Sequence, residues 1–286
     1  MTTVGAGKTE SLFSDEIPKP LKRHGDIHIG TSGFSFADWQ GAFYPKGLPH
    51  GQWLAYYASK FTVVEINATY YHIPRPEIFA GMAERTPQTF GFWVKLPGEA
   101  THGSAQLEPV MNSFLNSVQP LKDSGKLLGL LAQFPASFKP DQSNLERIVR
   151  IHDLVHDIPL AVEFRWDDWL TDETFAFLED RRLIFVAVDL PTLRGLPSPI
   201  TRTTGAANYV RFHGRNRQTW YNPQAGDRYD YEYSSSELEE WLPRVQAMDE
   251  MAPVSYLFFN NCHAGQAVKN ARMMRELLAR EFDMQI

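Results

Sequence analysis

The chain has 286 residues, 43% of them hydrophobic and 22% charged, an ordinary globular composition with ample material for one large core. A formal net charge of -6 speaks against non-specific polyanion binding, which needs a basic surface, so a nucleic-acid partner is disfavoured. The single cysteine, Cys262, excludes an intrachain disulfide. With no apolar stretch of bilayer length and no signal-like apolar core near residue 1, a cytoplasmic protein without a membrane partner is expected.

Residues 1–25 read as a flexible N-terminal extension, rich in Gly, Thr, Ser, Pro and charge. Within it, Gly5-Ala6-Gly7-Lys8-Thr9 is similar to the end of a phosphate-binding loop. No strand precedes it, and the motif's upstream glycine falls on Thr2, so it is read as part of the extension. From residue 26 onward, eight apolar runs recur, at 27–33, 62–69, 90–97, 127–135, 160–165, 183–190, 209–215 and 254–261. Helical spacing predicts helices between most of them, over 52–61, 77–85, 109–122, 144–156, 171–180 and 236–248, with a last one over 265–282. Pro243 predicts a kink or break in the sixth. Two regions interrupt the rhythm: a Pro/Gly/Thr-rich loop over 191–204 where a helix is due, and a long Tyr/Asn/Asp/Gly-rich loop over 216–233. The pattern predicts a single (β/α)8 barrel of the TIM type over 26–286, in which the C-terminal strand ends converge on one pocket.

Most of the runs end in polar or charged groups, which is where such a pocket lies. Side chains alternate along a strand, so Glu65 shares a face with Asn67, Glu163 with Arg165, and Arg211 with His213. Both faces of a barrel strand are buried, and charges are poorly suited to the face under the helices. Glu65, Lys95, Glu163, Asp189, Arg165, Arg211 and His213 are therefore all expected inside the barrel, near its mouth. Catalytic roles fall to Glu65, Glu163 and His213 as proton-transfer groups, to Lys95 as a base or imine former, and to Asp189. Arg165, Arg211 and Arg215 can fork a carboxylate or phosphate, while Asn67, Tyr71, Gln133, Asn260 and Asn261 contact the substrate. Trp39, Tyr70, Tyr71, Trp166 and Trp220 offer stacking surfaces or core packing. No cofactor is implied; a divalent ion on Glu65, Glu163 and Asp189 stays open. The same charges can also be read as an ion-pair network that closes the barrel without doing chemistry.

The ordered set of motifs resembles a known family. Gly30-Thr31-Ser32-Gly33-Phe34 is followed by Trp39 and Phe43-Tyr44-Pro45. Val64-Glu65-Ile66-Asn67-Ala68-Thr69-Tyr70-Tyr71 and Phe92-Trp93-Val94-Lys95 with Thr101-His102 come next. Leu131-Ala132-Gln133-Phe134-Pro135, Ala161-Val162-Glu163-Phe164-Arg165 with Trp169, Tyr209-Val210-Arg211-Phe212-His213-Gly214-Arg215 and Phe258-Phe259-Asn260-Asn261 complete it. These are similar to the YecE-like family, domain of unknown function 72, over about residues 26–280. The resemblance implies a TIM-like barrel and no particular reaction. Two positions depart from the family pattern: Ala68 stands where a Ser is common, and Asp167-Asp168 precede Trp169 where a His and a Ser are common.

Three functions are compatible with this reading, beside a nucleic-acid enzyme, which needs a basic groove leading to the mouth and is disfavoured by the net charge. The first is an enzyme acting on a small anionic or phosphorylated, sugar- or nucleotide-like substrate by acid/base hydrolysis or lyase chemistry. The second is a glycoside hydrolase using Glu65 and Glu163. The third is a non-catalytic ligand- or partner-binding protein.

Overall fold

The computed structural model describes residues 25–104, 106–222 and 227–282. The extension read over residues 1–25, with its glycine-rich fragment, lies outside the described residues but for Gly25. Eight parallel strands form one sheet: β1 (Asp26–Thr31), β2 (Val63–Ile66), β3 (Gly91–Lys95), β4 (Leu127–Phe134), β5 (Leu160–Phe164), β6 (Ile184–Asp189), β7 (Asn208–Phe212) and β8 (Val254–Phe259). β1 pairs with β8, and the sheet then runs through β7 down to β2. The ring closes where Ser32, just past β1, bridges Glu65 of β2. At that seam a Cβ on Gly30 would lie 2.4 Å from the Val63 carbonyl oxygen, so only glycine lets the two backbones approach.

The helices are α1 (Trp53–Ala58), α2 (Pro76–Glu84), α3 (Gly98–His102), α4 (Leu107–Asp123), α5 (Gln142–Val155), α6 (Asp172–Asp180), α7 (Ser235–Glu239), α8 (Leu242–Asp249) and α9 (Gln266–Phe282). Asp141 and Thr171 cap α5 and α6 by accepting from the backbone amides of Asn144 and Thr174. The helix expected over 236–248 is broken into α7 and α8. Pro243 falls in the first turn of α8, where its missing N–H costs nothing. A capping box formed by Ser234 and Glu237 starts α7. Between β6 and β7 no helix forms among residues 190–207. Among the described residues no helix is long and apolar enough to cross a membrane.

Alternation sorts the buried side chains into two layers. Val63, Trp93, Leu131, Ala161, Val186, Tyr209 and Phe258 fill the barrel, while Val64, Val94, Val162, Val210 and Phe259 pack under the helices. All residues of β2, β3, β5, β6 and β7 are buried, as parallel strands covered on both faces must be.

Candidate active site

The inward parity of each strand continues to its C-terminal end and places the polar groups. Glu65 follows Val63, Lys95 follows Trp93, Gln133 follows Leu131, Glu163 follows Ala161, Arg211 and His213 follow Tyr209, and Asn260 follows Phe258. Arg211 is the hub. Its Nη2 donates to Glu65 Oε1 at 2.6 Å and its Nη1 to Glu163 Oε2. Tyr209 donates to the other Glu65 oxygen at 2.6 Å, and Arg165 Nε donates to Glu163 Oε1. His213 Nε2 stands 3.2 Å from Glu163 Oε1, and its Nδ1 is 3.0 Å from the Asn260 amide. Both carboxylates, Arg211 and His213 are buried.

Burial and these partners set the charge states. Burial pushes the Glu163 carboxyl up, but the charges of Arg165 and Arg211 outweigh it and hold the group well below the usual carboxylate range. Burial, and then Arg165, keep His213 well below the ordinary imidazole value, so it is neutral at neutral pH. Burial, and then Glu65, push the Tyr209 phenol well up, so it stays a hydrogen-bond donor. Lys95 is different. Burial, and then Arg211, push its ammonium down to about 7. Its Nζ donates to Gln133 Oε1 at 2.8 Å and lies 4.1 Å from the centroid of the Tyr70 ring. Among the described residues it forms no ion pair.

Two cavities open over this floor. One, of about 280 Å³, is lined by Ser32, Asn67, Tyr71, Lys95, Arg165, Arg211 and Asn260 together with Phe36, Asp38, Asp227, Tyr229, Cys262 and His263. The other, of about 400 Å³, is lined by Tyr70, Tyr71, Lys95, Gln133 and Arg165, with Pro135, Ala136, Leu196, Trp220, Tyr221, Arg228 and Tyr229. Tyr71, Lys95, Arg165 and Tyr229 border both. Ser32, Asn67 and Arg211 line the first cavity, and each carries a buried polar atom, Oγ, Oδ1 and Nε, without a hydrogen-bond partner among the described residues.

The structure thus brings together Glu65, Asn67, Tyr71, Lys95, Gln133, Glu163, Arg165, Arg211, His213 and Asn260. Three expected residues lie elsewhere. On β6, Val186 and Val188 point into the barrel, so Asp189 points outward, under α7. There it accepts from Arg215 (2.9 and 2.8 Å), Tyr233 Oη (2.7 Å) and Trp241 Nε1 (2.7 Å). Arg215 is spent on Asp189 and Glu240 and lines neither cavity. Asn261 Nδ2 donates to the Tyr231 carbonyl and Asn270 Oδ1, on the α9 side. A metal site built on Glu65, Glu163 and Asp189 is corrected by the same fact, because Asp189 faces the other side of the wall. Among the described residues no group of three or more His, Cys, Asp or Glu side chains is placed to hold a metal ion.

Of the aromatics, Trp39 is fully buried and donates to the Cys262 carbonyl, and Trp166 packs against Lys139 and Gly195; neither lines the mouth cavities. Trp169, at the departure from the family pattern, is buried against Phe164 and donates to the Phe138 carbonyl. Sequence reasoning missed Ser32, Tyr209 and Tyr229. The first two share the inward parity of residues that were named, so the signal was present. Tyr229 comes from the 216–233 loop, whose course no periodicity reveals.

The chain matches the family described as "Protein of unknown function DUF72" over residues 28–285. It is 30% identical over 273 residues to the UPF0759 protein YunF of Bacillus subtilis, covering 90% of this chain and 96% of that one. A crystal structure of a DUF72 family protein from Thermotoga maritima is 39% identical, with a TM-score of 0.81 over 88% of this chain and 99% of that one. One from Enterococcus faecalis is 27% identical, with a TM-score of 0.80 over 91% and 96%.

Proposed function

The chain belongs to the DUF72 family, and from the barrel mouth we propose that it is an enzyme acting on a small anionic, hydroxyl-bearing substrate by proton transfer, as a lyase or hydrolase does. One observation carries this reading: Lys95 and Arg165 border both cavities, and among the described residues Lys95 forms no ion pair with a carboxylate. Glu65 and Glu163 are engaged by Arg211 and Arg165, and Asp38 and Asp227 line the first cavity without an ion pair to Lys95 among the described residues. Arg165 offers a planar fork to a carboxylate or phosphate. Asn67, Asn260 and the unpaired Ser32 hydroxyl suit substrate hydroxyls. An amine that titrates near 7 is matched to giving and taking protons at neutral pH.

The geometry gives a glycoside hydrolase reading no support. Glu65 and Glu163 are fully buried, hold Arg211 between them and line neither cavity, whereas that chemistry needs two carboxyl groups flanking the scissile bond.

Titration calorimetry tests the reading. Inorganic phosphate, sugar phosphates and 2-hydroxy acids are expected to bind, with neutral sugars at least tenfold weaker. Arg165→Lys is expected to weaken the anions at least tenfold, because an ammonium meets them only as a point charge. Equal binding of neutral and anionic sugars, or no binding of either, would overturn it.

A further inference from the structure

Two buried lysines in this barrel are built differently. Lys126, 4% exposed, spends its ammonium on three acceptors: the carbonyls of Ala83 (2.6 Å) and Thr86 (2.7 Å) and Thr86 Oγ1 (3.1 Å). It borders neither mouth cavity and is a structural cation. The ammonium of Lys95, a residue 8% exposed, makes one hydrogen bond among the described residues, to Gln133, and Lys95 stands at the junction of both cavities. A lysine used only for structure would be expected to satisfy its three N–H donors as Lys126 does. Lys95 instead presents its side chain to both cavities.

We propose that Lys95 is a covalent nucleophile: its amine condenses with the carbonyl carbon of a small aldehyde or ketone whose carboxylate or phosphate is held by Arg165, giving an imine. This rests on the reading of the mouth as a small-anion site and names the substrate class as carbonyl compounds. The Nζ lone pair forms the C–N bond while the carbonyl π pair moves to oxygen. A proton passes from nitrogen to that oxygen, giving the carbinolamine. Its hydroxyl then leaves with one more proton as water, and the nitrogen lone pair forms the C=N bond. The product of these steps is the protonated imine: in total one proton is taken up from solvent and one water released, with no change of oxidation state, and loss of that proton leaves the neutral imine. Arg211, which lines the first cavity, supplies positive potential for the oxygen as it gains charge. A desolvated lysine beside other cations is the environment that keeps an amine nucleophilic at neutral pH. Around Lys95 those groups are Arg165 and Glu163 from β5, Arg211 from β7, Glu65 from β2 and the Tyr70 ring. Burial, Arg211 and Arg165 lower it and the two glutamates raise it, with the balance near 7.

The experiment is reductive trapping on the wild-type protein, which needs no variant to fold. Pyruvate, dihydroxyacetone phosphate or neutral propanal is added with sodium cyanoborohydride, which reduces an imine to a stable secondary amine. Intact mass and peptide mapping then locate the label. One equivalent on Lys95 and none on Lys126 is expected. The two anionic probes should label at least tenfold faster than propanal, and the rate should fall as pH drops from 8 to 6. Labelling by pyruvate alone would assign a 2-oxo carboxylate, and by dihydroxyacetone phosphate alone a phosphorylated carbonyl. Label spread over surface lysines with Lys95 unmodified, or no label, overturns the proposal. Phosphate calorimetry in parallel separates the two readings. Anion binding without Lys95 labelling removes only the covalent step, and the absence of both removes the anionic site as well.

Discussion

Arg211 Nη2 donates to Glu65 Oε1 across 2.6 Å, and both side chains are buried within the barrel. Because Nη1 of the same guanidinium binds Glu163, one side chain on β7 ties together the ends of β2 and β5. Such a buried network adds little net stability as a whole, yet removing its centre leaves Glu65 without a cationic partner and Glu163 with Arg165 alone. Arg211→Met is expected to lower the unfolding free energy by about 3–5 kcal/mol, measured by urea denaturation. Arg211→Lys should recover only part of it, since an ammonium cannot reproduce the fork. A loss below about 1 kcal/mol in the Met variant, typical of exposed pairs, would mean the carboxylates are solvated.

Lys95 gives the fold an unusual pH dependence. Its value is about 7 in the folded chain and 10.5 when unfolded, so between these values the unfolded chain binds the extra proton. Stability therefore rises with pH across this window. From pH 7.0 to 8.5 the gain is about 1–2 kcal/mol. Lys95→Met should remove that rise and be more stable than wild type at pH 7, read from urea midpoints at each pH. Identical pH slopes for the two proteins would show that Lys95 is charged throughout.

On the acid side the relevant group is His213. Its folded value lies well below the unfolded 6.5, so its contribution is present above pH 6.5 and lost as pH falls toward the folded value. Glu163 is also held below its unfolded 4.5, and its contribution is lost at lower pH still. Wild-type stability, already lowered on acidification by Lys95, should therefore keep falling below pH 6.5, and His213→Gln should flatten the curve between pH 6.5 and the carboxylate range. Chemical denaturation at half-unit steps from pH 7 to 4 would show whether the two curves separate.

The barrel was legible because parallel strands buried on both faces announce themselves as short apolar runs, and because each run keeps its parity. That parity correctly placed Glu65, Lys95, Glu163, Arg211 and His213 on the inner face, where Arg211 and Arg165 pair with the two glutamates and Lys95 binds the neutral Gln133 amide. It was overruled at β6. The rule that charges avoid the helix layer put Asp189 inside, although Val186 and Val188 already occupied the inward positions. The rule failed because Arg215, Tyr233 and Trp241, the first two at either end of the 216–233 loop and the third in the turn between α7 and α8, supply four donors under the helices. A single sequence does not show such long-range partners. The same applies to Tyr229 and Asp38, which reach the mouth from loops with no periodicity to place them.

That outward placement separates stability from binding at Asp189. The carboxylate accepts two hydrogen bonds from Arg215 and one each from Tyr233 and Trp241, so every approach to it comes from a donor. In Asp189→Asn one carboxylate oxygen becomes an amide nitrogen that faces donors, and the Arg215 charge loses its buried counterion. Breaking a buried pair in this way costs about 3–5 kcal/mol, so a clear drop in melting temperature is expected. The mouth, on the opposite face of β6, should keep its affinity for phosphate within about twofold, since sites without shared partners act independently. Differential scanning fluorimetry and calorimetry on the same sample give both numbers. An Asp189→Asn protein that melts like wild type but no longer binds anions would put Asp189 back among the ligand-binding groups and undo its assignment to the outer layer.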